Sequence, residues 1–184
     1  MTDDDEQHVR RLAAGDAQAL GPLYERHRGV VMSVLRQHLR STSEAEDLCQ
    51  NVFLALRDMA PRIRPNSSIR ALLVGIAMRK AKKFSAVSWV RRTLIDRNVS
   101  RDEGFTDSSS RVDAGRDAQK MLSGLPEEWR TVVVLNLVEG WTAEEIAVSL
   151  GISPNTVFTR LFRARKQIRE QWPEAALLEG EGVS

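Results

Sequence analysis

The chain has 184 residues, enough for one ordinary domain or two small ones, and 42% of them are hydrophobic. That content argues against wholesale disorder, and no stretch approaches the roughly 20 consecutive apolar residues that span a bilayer. The net charge is only +2, yet residues 62–101 carry eleven Lys or Arg against one acidic residue, whereas the flanking segments are mildly acidic. Such clustering indicates a polyanionic partner, because like charges repel until something neutralises them.

The sequence gives no indication of catalysis or of a bound cofactor. It contains no Gly-rich phosphate loop, nucleophile elbow or HExxH motif, so we expect no catalytic residues and no small-molecule substrate. The three histidines and the single cysteine, Cys49, lack metal-ligand spacing, and we expect Cys49 to be a small buried residue. The acidic N-terminus, MTDDDEQ, lacks the apolar run of a signal peptide, which predicts a cytoplasmic protein.

Two helices are predicted at the start of the chain. The first covers residues 4–14 and ends at Gly15. Asp16 can cap the second, which is predicted to run to about Leu39 because its apolar residues recur at helical spacing.

Two further helices complete a predicted N-terminal helical domain. Ser43 and Glu46 have the spacing of a capping box, which predicts a helix over residues 44–60. The polar loop PRIRPNSS follows, and apolar spacing predicts another helix from about Ile69 to Phe84 or beyond.

A change in composition predicts a second domain. The segment NVSRDEGFTDSSSRVDA is rich in Ser, Asp and Gly and poor in apolar residues, as flexible linkers are. The sequence therefore predicts an all-α protein of two small helical domains. The predicted boundaries are residues 1–97 for the first domain, 98–114 for the linker, 115–172 for the second domain and 173–184 for a tail.

The second domain contains a predicted helix-turn-helix. Pro126 opens a helix that runs through Val138, and Thr142 with Glu145 forms a capping box for a helix over residues 143–150. Gly151 suits a left-handed cap, and Ser153 followed by proline suits the start of the next helix. Two short helices joined by a glycine-containing turn, the second of them basic, are typical of DNA-binding proteins.

The second helix of this motif carries the candidate DNA contacts. Its early polar positions can reach base edges in a major groove, and its cations can reach phosphates or guanine. The candidates are Ser153, Asn155, Thr156, Phe158, Thr159, Arg160, Arg163 and Lys166.

Two stretches resemble the sigma-70 family of bacterial RNA polymerase subunits. LPEEWRTVVVLNLVEGWTAEEIAVSLGISPNTVFTRLFRARKQI (125–168) is similar to region 4, and SEAEDLCQNVFLAL (43–56) is similar to region 2.2. Flanking stretches resemble the rest of region 2, and no further domain lies between, as in the small extracytoplasmic-function group. The resemblance implies a protein that binds core polymerase, recognises the minus-ten and minus-thirty-five promoter elements and promotes DNA melting.

The resemblance also implies roles for particular residues. The region 2.2 helix would dock on the polymerase, and its contacts would be Glu46, Asp47, Gln50, Asn51 and Phe53. The minus-ten element would meet a base pocket and a row of backbone contacts. The pocket residues would be Arg64, Asn66, Ser67 and Ser68, and the backbone contacts Arg70, Arg79, Lys80, Lys82 and Lys83.

The sequence departs from the family on the presumed reading face. Phe158 and Thr159 stand where the family usually has Lys-Ser or Arg-Ser, so the promoter preference cannot be carried over from relatives. The family also implies an anti-sigma partner, and such a partner is able to hold the protein at the inner membrane. A protein that is not held there is expected on the nucleoid.

Two other classes of function compete with this interpretation. A helix-turn-helix regulator that works without core polymerase needs a ligand or receiver domain, and the N-terminal half shows no such pattern. A decoy that mimics a sigma surface is expected to lose its basic residues, which this chain keeps. Adding the purified protein to core polymerase distinguishes the three.

Overall fold

The computed structural model describes residues 3–39, 41–95 and 120–173, and within these ranges the chain forms helices, turns and loops without a β-strand. The chain divides into two compact units. The predicted all-α fold with two small helical domains is confirmed. The predicted linker, and the predicted tail beyond residue 173, lie outside the described residues.

The described residues of the N-terminal unit form four α-helices, as predicted. Short 3-10 turns, Ala17–Ala19 and Ala60–Arg62, precede the second helix and follow the third. The helices are α1 (Asp3–Ala13), α2 (Leu20–Leu35), α3 (Thr42–Met59) and α4 (Ile69–Ile95).

Short polar residues set the starts of these elements. Gly15 ends the first helical segment with φ +94°, and the Asp16 carboxylate accepts a hydrogen bond from the Gln18 amide at 3.0 Å. The predicted start of α3 was wrong by two residues. Ser41, not Ser43, is the cap, because its extended backbone lets its hydroxyl accept from the Glu44 amide at 3.1 Å.

The core of this unit lies where α2, α3 and α4 pack against one another. Leu23, Leu56 and Leu73 are fully buried there, and full burial of such a side chain contributes about 1.5–3 kcal/mol. Cys49 is also fully buried, as expected, and burial raises the pKa of its thiol to about 11. The apolar faces of the helices therefore point inward, which leaves their charged faces outside.

A buried carboxylate ties α1 to α2. Asp5 is 5% exposed, and one of its oxygens accepts from the Arg26 guanidinium at 2.7 Å while the other lies 3.1 Å from His27 Nε2. Arg26 also reaches Asp4 at 2.9 Å. Burial lowers the pKa of His27, although the neighbouring Asp5 acts in the opposite direction.

The C-terminal unit begins, in the described residues, with a helical turn at residues 120–123. Three helices follow, and the first continues directly into a π-helical turn at Val134–Val138 that the sequence did not predict. Their bounds are α5 (Glu127–Val133), α6 (Ala143–Leu150) and α7 (Pro154–Gln171).

The core of the C-terminal unit lies between α5, the π-helical turn and the helix-turn-helix. Helix α5 packs against α7. Leu135, Ile146 and Val157 are fully buried, one from each successive element. This packing fixes which face of α7 is turned away from the unit.

The buried His27 predicts a pH-dependent stability. Because the folded-state pKa of His27 lies below its ordinary value of 6.5, the unfolded chain binds more protons once the pH falls below about 6.5. This stabilising contribution is present above that pH and is lost as the pH falls towards the folded-state pKa. Thermal unfolding followed by circular dichroism should show that the melting temperature of the wild type falls more steeply below about pH 6.5 than that of His27→Gln. Equal losses in the two proteins would contradict this role.

Candidate nucleic-acid interface

The helix-turn-helix is held together by local caps, as the sequence predicted. The Thr142 amide donates to the Glu145 carboxylate at 2.9 Å, and the Glu145 amide donates to the Thr142 hydroxyl at 3.2 Å. Gly151 has φ +66°, which permits the turn between α6 and α7. The Ser153 hydroxyl accepts from the Thr156 amide at 3.1 Å and so starts α7.

Helix α7 has one buried stripe and a wide exposed face. Val157, Leu161 and Ala164 are buried, as predicted, and Ile168 is half-buried. The helix carries no acidic residue before Glu170. Its exposed face is therefore positively charged along most of its length, which suits contact with DNA phosphates.

The structure places most of the predicted reading residues on this face. Asn155, Phe158, Thr159, Arg163 and Lys166 are exposed. The Ser153 and Thr156 hydroxyls lie 2.8 Å apart, so both take part in the cap. Arg163 has no ion pair within the described part of the chain, whereas Lys166 lies 3.9 Å from Glu170, one turn later.

The prediction for Arg160 needs a correction. Its guanidinium donates to the Glu128 carboxylate of α5 at 2.6 Å, and its side chain is only 20% exposed. Arg160 therefore joins α7 to α5 inside the unit. The position of Arg160 on a basic helix suggested a DNA contact. Its partner Glu128 lies 32 residues away, so the local sequence could not reveal the ion pair.

Sequence reasoning missed a second exposed aromatic ring on α7. Phe162 is 65% exposed, and Phe158, one turn earlier, is 54% exposed. The two rings border a groove that also contains Leu161 and Arg165. Their spacing of four residues on a face otherwise polar was the signal that could have revealed the pair.

The loop between α3 and α4 presents the predicted pocket residues. Arg64, Asn66 and Ser68 are exposed and Ser67 is half-buried. Asn66 has φ +62°, a left-handed conformation that Asn adopts more readily than most residues. The Ser68 hydroxyl accepts from the Ala71 amide at 3.2 Å, so it caps α4 and fixes where the loop meets the helix.

The predicted backbone contacts on α4 form a compact cationic group. Arg79, Lys82 and Lys83 are exposed at a spacing of three and four residues, which puts them on one side of the helix. No ion pair to them occurs within the described part of the chain. Lys80 and Arg70 are half-buried, and Arg70 lies more than two turns before this group.

The predicted polymerase-facing set is exposed only in part. Four of its residues are exposed on α3: Glu46, Asp47, Gln50 and Asn51. Phe53 was wrongly assigned to this surface, because it is 2% exposed and packs edge-on against Tyr24 with ring centroids 4.8 Å apart. Leu54, which the sequence reasoning missed, is 41% exposed on the same side as Gln50.

Within the described ranges of the chain, no group of three or more His, Cys, Asp or Glu side chains is placed to hold a metal ion. None of the described helices is long and apolar enough to cross a membrane.

Two models of one known family match the chain, one in its N-terminal half and one in its C-terminal half. The family model of sigma-70 region 2 matches residues 23–86, and that of sigma-70 region 4 matches residues 116–168. A relative, the RNA polymerase sigma factor CarQ of Myxococcus xanthus, is 31% identical over 174 residues, covering 92% of this chain and 98% of the relative. The chain belongs to the sigma-70 family of RNA polymerase sigma factors.

The chain is also similar to proteins named as extracytoplasmic-function sigma factors. The ECF RNA polymerase sigma-E factor of Escherichia coli K12 is 26% identical over 89% of this chain and 92% of that protein. The fold is shared with CnrH, solved in complex with the cytosolic domain of CnrY, at a TM-score of 0.69 and 24% identity over 98% of this chain and all of that one. Sigma factors bind core polymerase and promoter DNA and are regulatory, non-catalytic proteins.

Proposed function

We propose that this sigma factor contacts its promoter through two separate surfaces and its polymerase through a third. The outer face of α7 reads the minus-thirty-five duplex, the α3–α4 loop and the cations of α4 hold the minus-ten region, and the exposed face of α3 binds core polymerase. The observation that carries the proposal is that each surface is exposed, while the apolar side of the same helix is buried in its own unit.

The charge of the minus-ten surface fits a role in strand separation. Opening a duplex costs about 1.4 kcal/mol per base-pair step, which captured single-stranded bases and backbone contacts must offset. Arg79, Lys82 and Lys83 supply positive charge for the backbone, and Arg64 with Asn66 supplies hydrogen-bonding groups in the loop. The chain performs no catalysis of its own in this scheme, because polymerisation belongs to the core enzyme.

The proposal extends to an anti-sigma partner and to location. The sigma factor RpoE of Bartonella quintana shares the fold of this chain, with a TM-score of 0.59 and 22% identity. It was solved in complex with the anti-sigma factor NepR. We infer that an anti-sigma protein controls this chain as well. Its working location is then the cytoplasm and nucleoid, with storage at the inner membrane where the anti-sigma protein is membrane-bound.

Arg163→Ala is expected to lower promoter-directed transcription about tenfold, within the roughly 1–3 kcal/mol of one base contact. Affinity for core polymerase should not change. Arg160→Ala is the matched control on the same helix, and because Arg160 pairs with Glu128 it should mainly lower the melting temperature of the C-terminal unit. In vitro transcription with purified core enzyme measures the first effect. Full activity of Arg163→Ala would show that this face does not read the promoter.

Replacing Asp47 and Gln50 together by Ala should weaken binding to core polymerase about tenfold, since both are exposed polar residues on one face of α3. Fluorescence titration of labelled protein with core enzyme measures the affinity. The matched control is Gln7→Ala with Glu25→Ala, an exposed amide and acid on α1 and α2. Equal affinities for the two double variants would count against the assignment of α3. Specific duplex binding without core enzyme would instead favour a regulator of another kind.

A further inference from the structure

Helix α7 exposes two phenylalanine rings on its DNA-facing half. Phe158 is 54% exposed and Phe162 is 65% exposed. A spacing of four residues places them on the same side of the helix and about 6 Å apart along its axis. Large apolar side chains that lie together on an otherwise polar, cationic helix point to a contact made in a complex.

The surroundings of the rings favour a polyanion as that partner. The groove beside them has a volume of about 650 Å³ and combines apolar and cationic side chains. Its lining includes Phe158, Leu161, Phe162, Arg165, Arg169 and Glu144. Two arginines therefore face one carboxylate, and exposed Arg163 and Lys166 extend the positive charge along the helix. An acidic protein helix could also meet this charge, but α7 is the second helix of the helix-turn-helix, the one that enters the major groove in such motifs.

A benzene ring can recognise only one feature of a major groove. Phenylalanine neither donates nor accepts a hydrogen bond. Base edges that display only donors and acceptors therefore offer it no favourable contact. The 5-methyl group of thymine is the apolar exception. A ring forced against a polar edge would strip that edge of water without replacing its hydrogen bonds.

We propose that Phe158 and Phe162 read thymine methyl groups in the minus-thirty-five element and so set the base preference of this sigma factor. The inference rests on the proposed function of α7. Because the two residues are offset by about 6 Å along the helix axis, roughly two base steps of 3.4 Å each, we expect the two thymines within about two steps of each other. Asn155 and Thr159, exposed beside the rings, leave neighbouring positions open to hydrogen-bonded readout.

The first experiment identifies the minus-thirty-five sequence that this sigma factor prefers, because that sequence cannot be carried over from relatives. Full-length protein bound to core polymerase selects from promoter fragments randomised across the minus-thirty-five region. Selected fragments should carry thymine at two positions within about two base steps, on either strand. If no duplex sequence is enriched, the proposed function of α7 fails and the inference fails with it.

The second experiment removes the methyl groups alone. Deoxyuridine replaces each selected thymine, which keeps base pairing and deletes only the 5-methyl group. Affinity of the holoenzyme for the fragment should fall about fourfold per methyl lost, the factor expected for one buried methylene-sized group. Phe158→Ala and Phe162→Ala holoenzymes should each become insensitive to one of the two replacements.

Val148→Ala is the matched control, because Val148 is 76% exposed on α6 but lies outside the groove. That variant should keep the full sensitivity to deoxyuridine. The inference is overturned if selected sites lack thymine, if deoxyuridine has no effect, or if its effect persists in both Phe variants. It is also overturned if the Phe variants lose affinity for core polymerase while deoxyuridine has no effect, since the rings would then be a protein contact.

Discussion

The cost of burying unpaired like charges, or of crowding them together, is the constraint on which the rest of the structure depends. The segment 62–101 carries a net charge of +10, and the exposed cations of α4 have no acidic partner within the described part of the chain. The fold cannot bury these charges, because an unpaired buried ammonium or guanidinium is far too costly. Packing of α2, α3 and α4 through their apolar stripes therefore leaves the cations on the surface, where a polyanion can neutralise them.

Charge also has to stay on the surface of the C-terminal unit, but there the helix caps matter as much as the charge. The reciprocal bonds between Thr142 and Glu145, the left-handed Gly151 and the Ser153 cap determine where α7 begins. Burial of Val157 and Leu161 then determines which face points outward. The caps are local in sequence, whereas the burial depends on packing of α7 against α5, and together they leave one face of α7 exposed.

This locality explains what could be predicted from the sequence. Caps, helix periodicity and blocks of charge are read within a few residues, so the helix-turn-helix and the buried Cys49 were predicted correctly. Phe53 and Arg160 were not, because their roles depend on Tyr24 and Glu128, which are distant along the chain. The cap of α3 was misplaced because Ser41 and Ser43 are chemically equivalent candidates, and only the backbone conformation of Ser41 distinguishes them. The residue-level roles at the DNA and polymerase surfaces stay predictions.

The dependence of promoter affinity on salt tests the central claim most directly. Each phosphate contact adds about 0.7–0.9 to the slope of log affinity against log salt concentration. Replacing Lys82 and Lys83 by Gln in the holoenzyme should therefore reduce that slope by about 1.4–1.8. Replacing Arg10 and Arg11 of α1 by Gln, which removes the same charge from another exposed surface, should leave the slope unchanged. If the lysine variant keeps the wild-type slope, or if both variants lose equally, the cations of α4 do not hold the promoter.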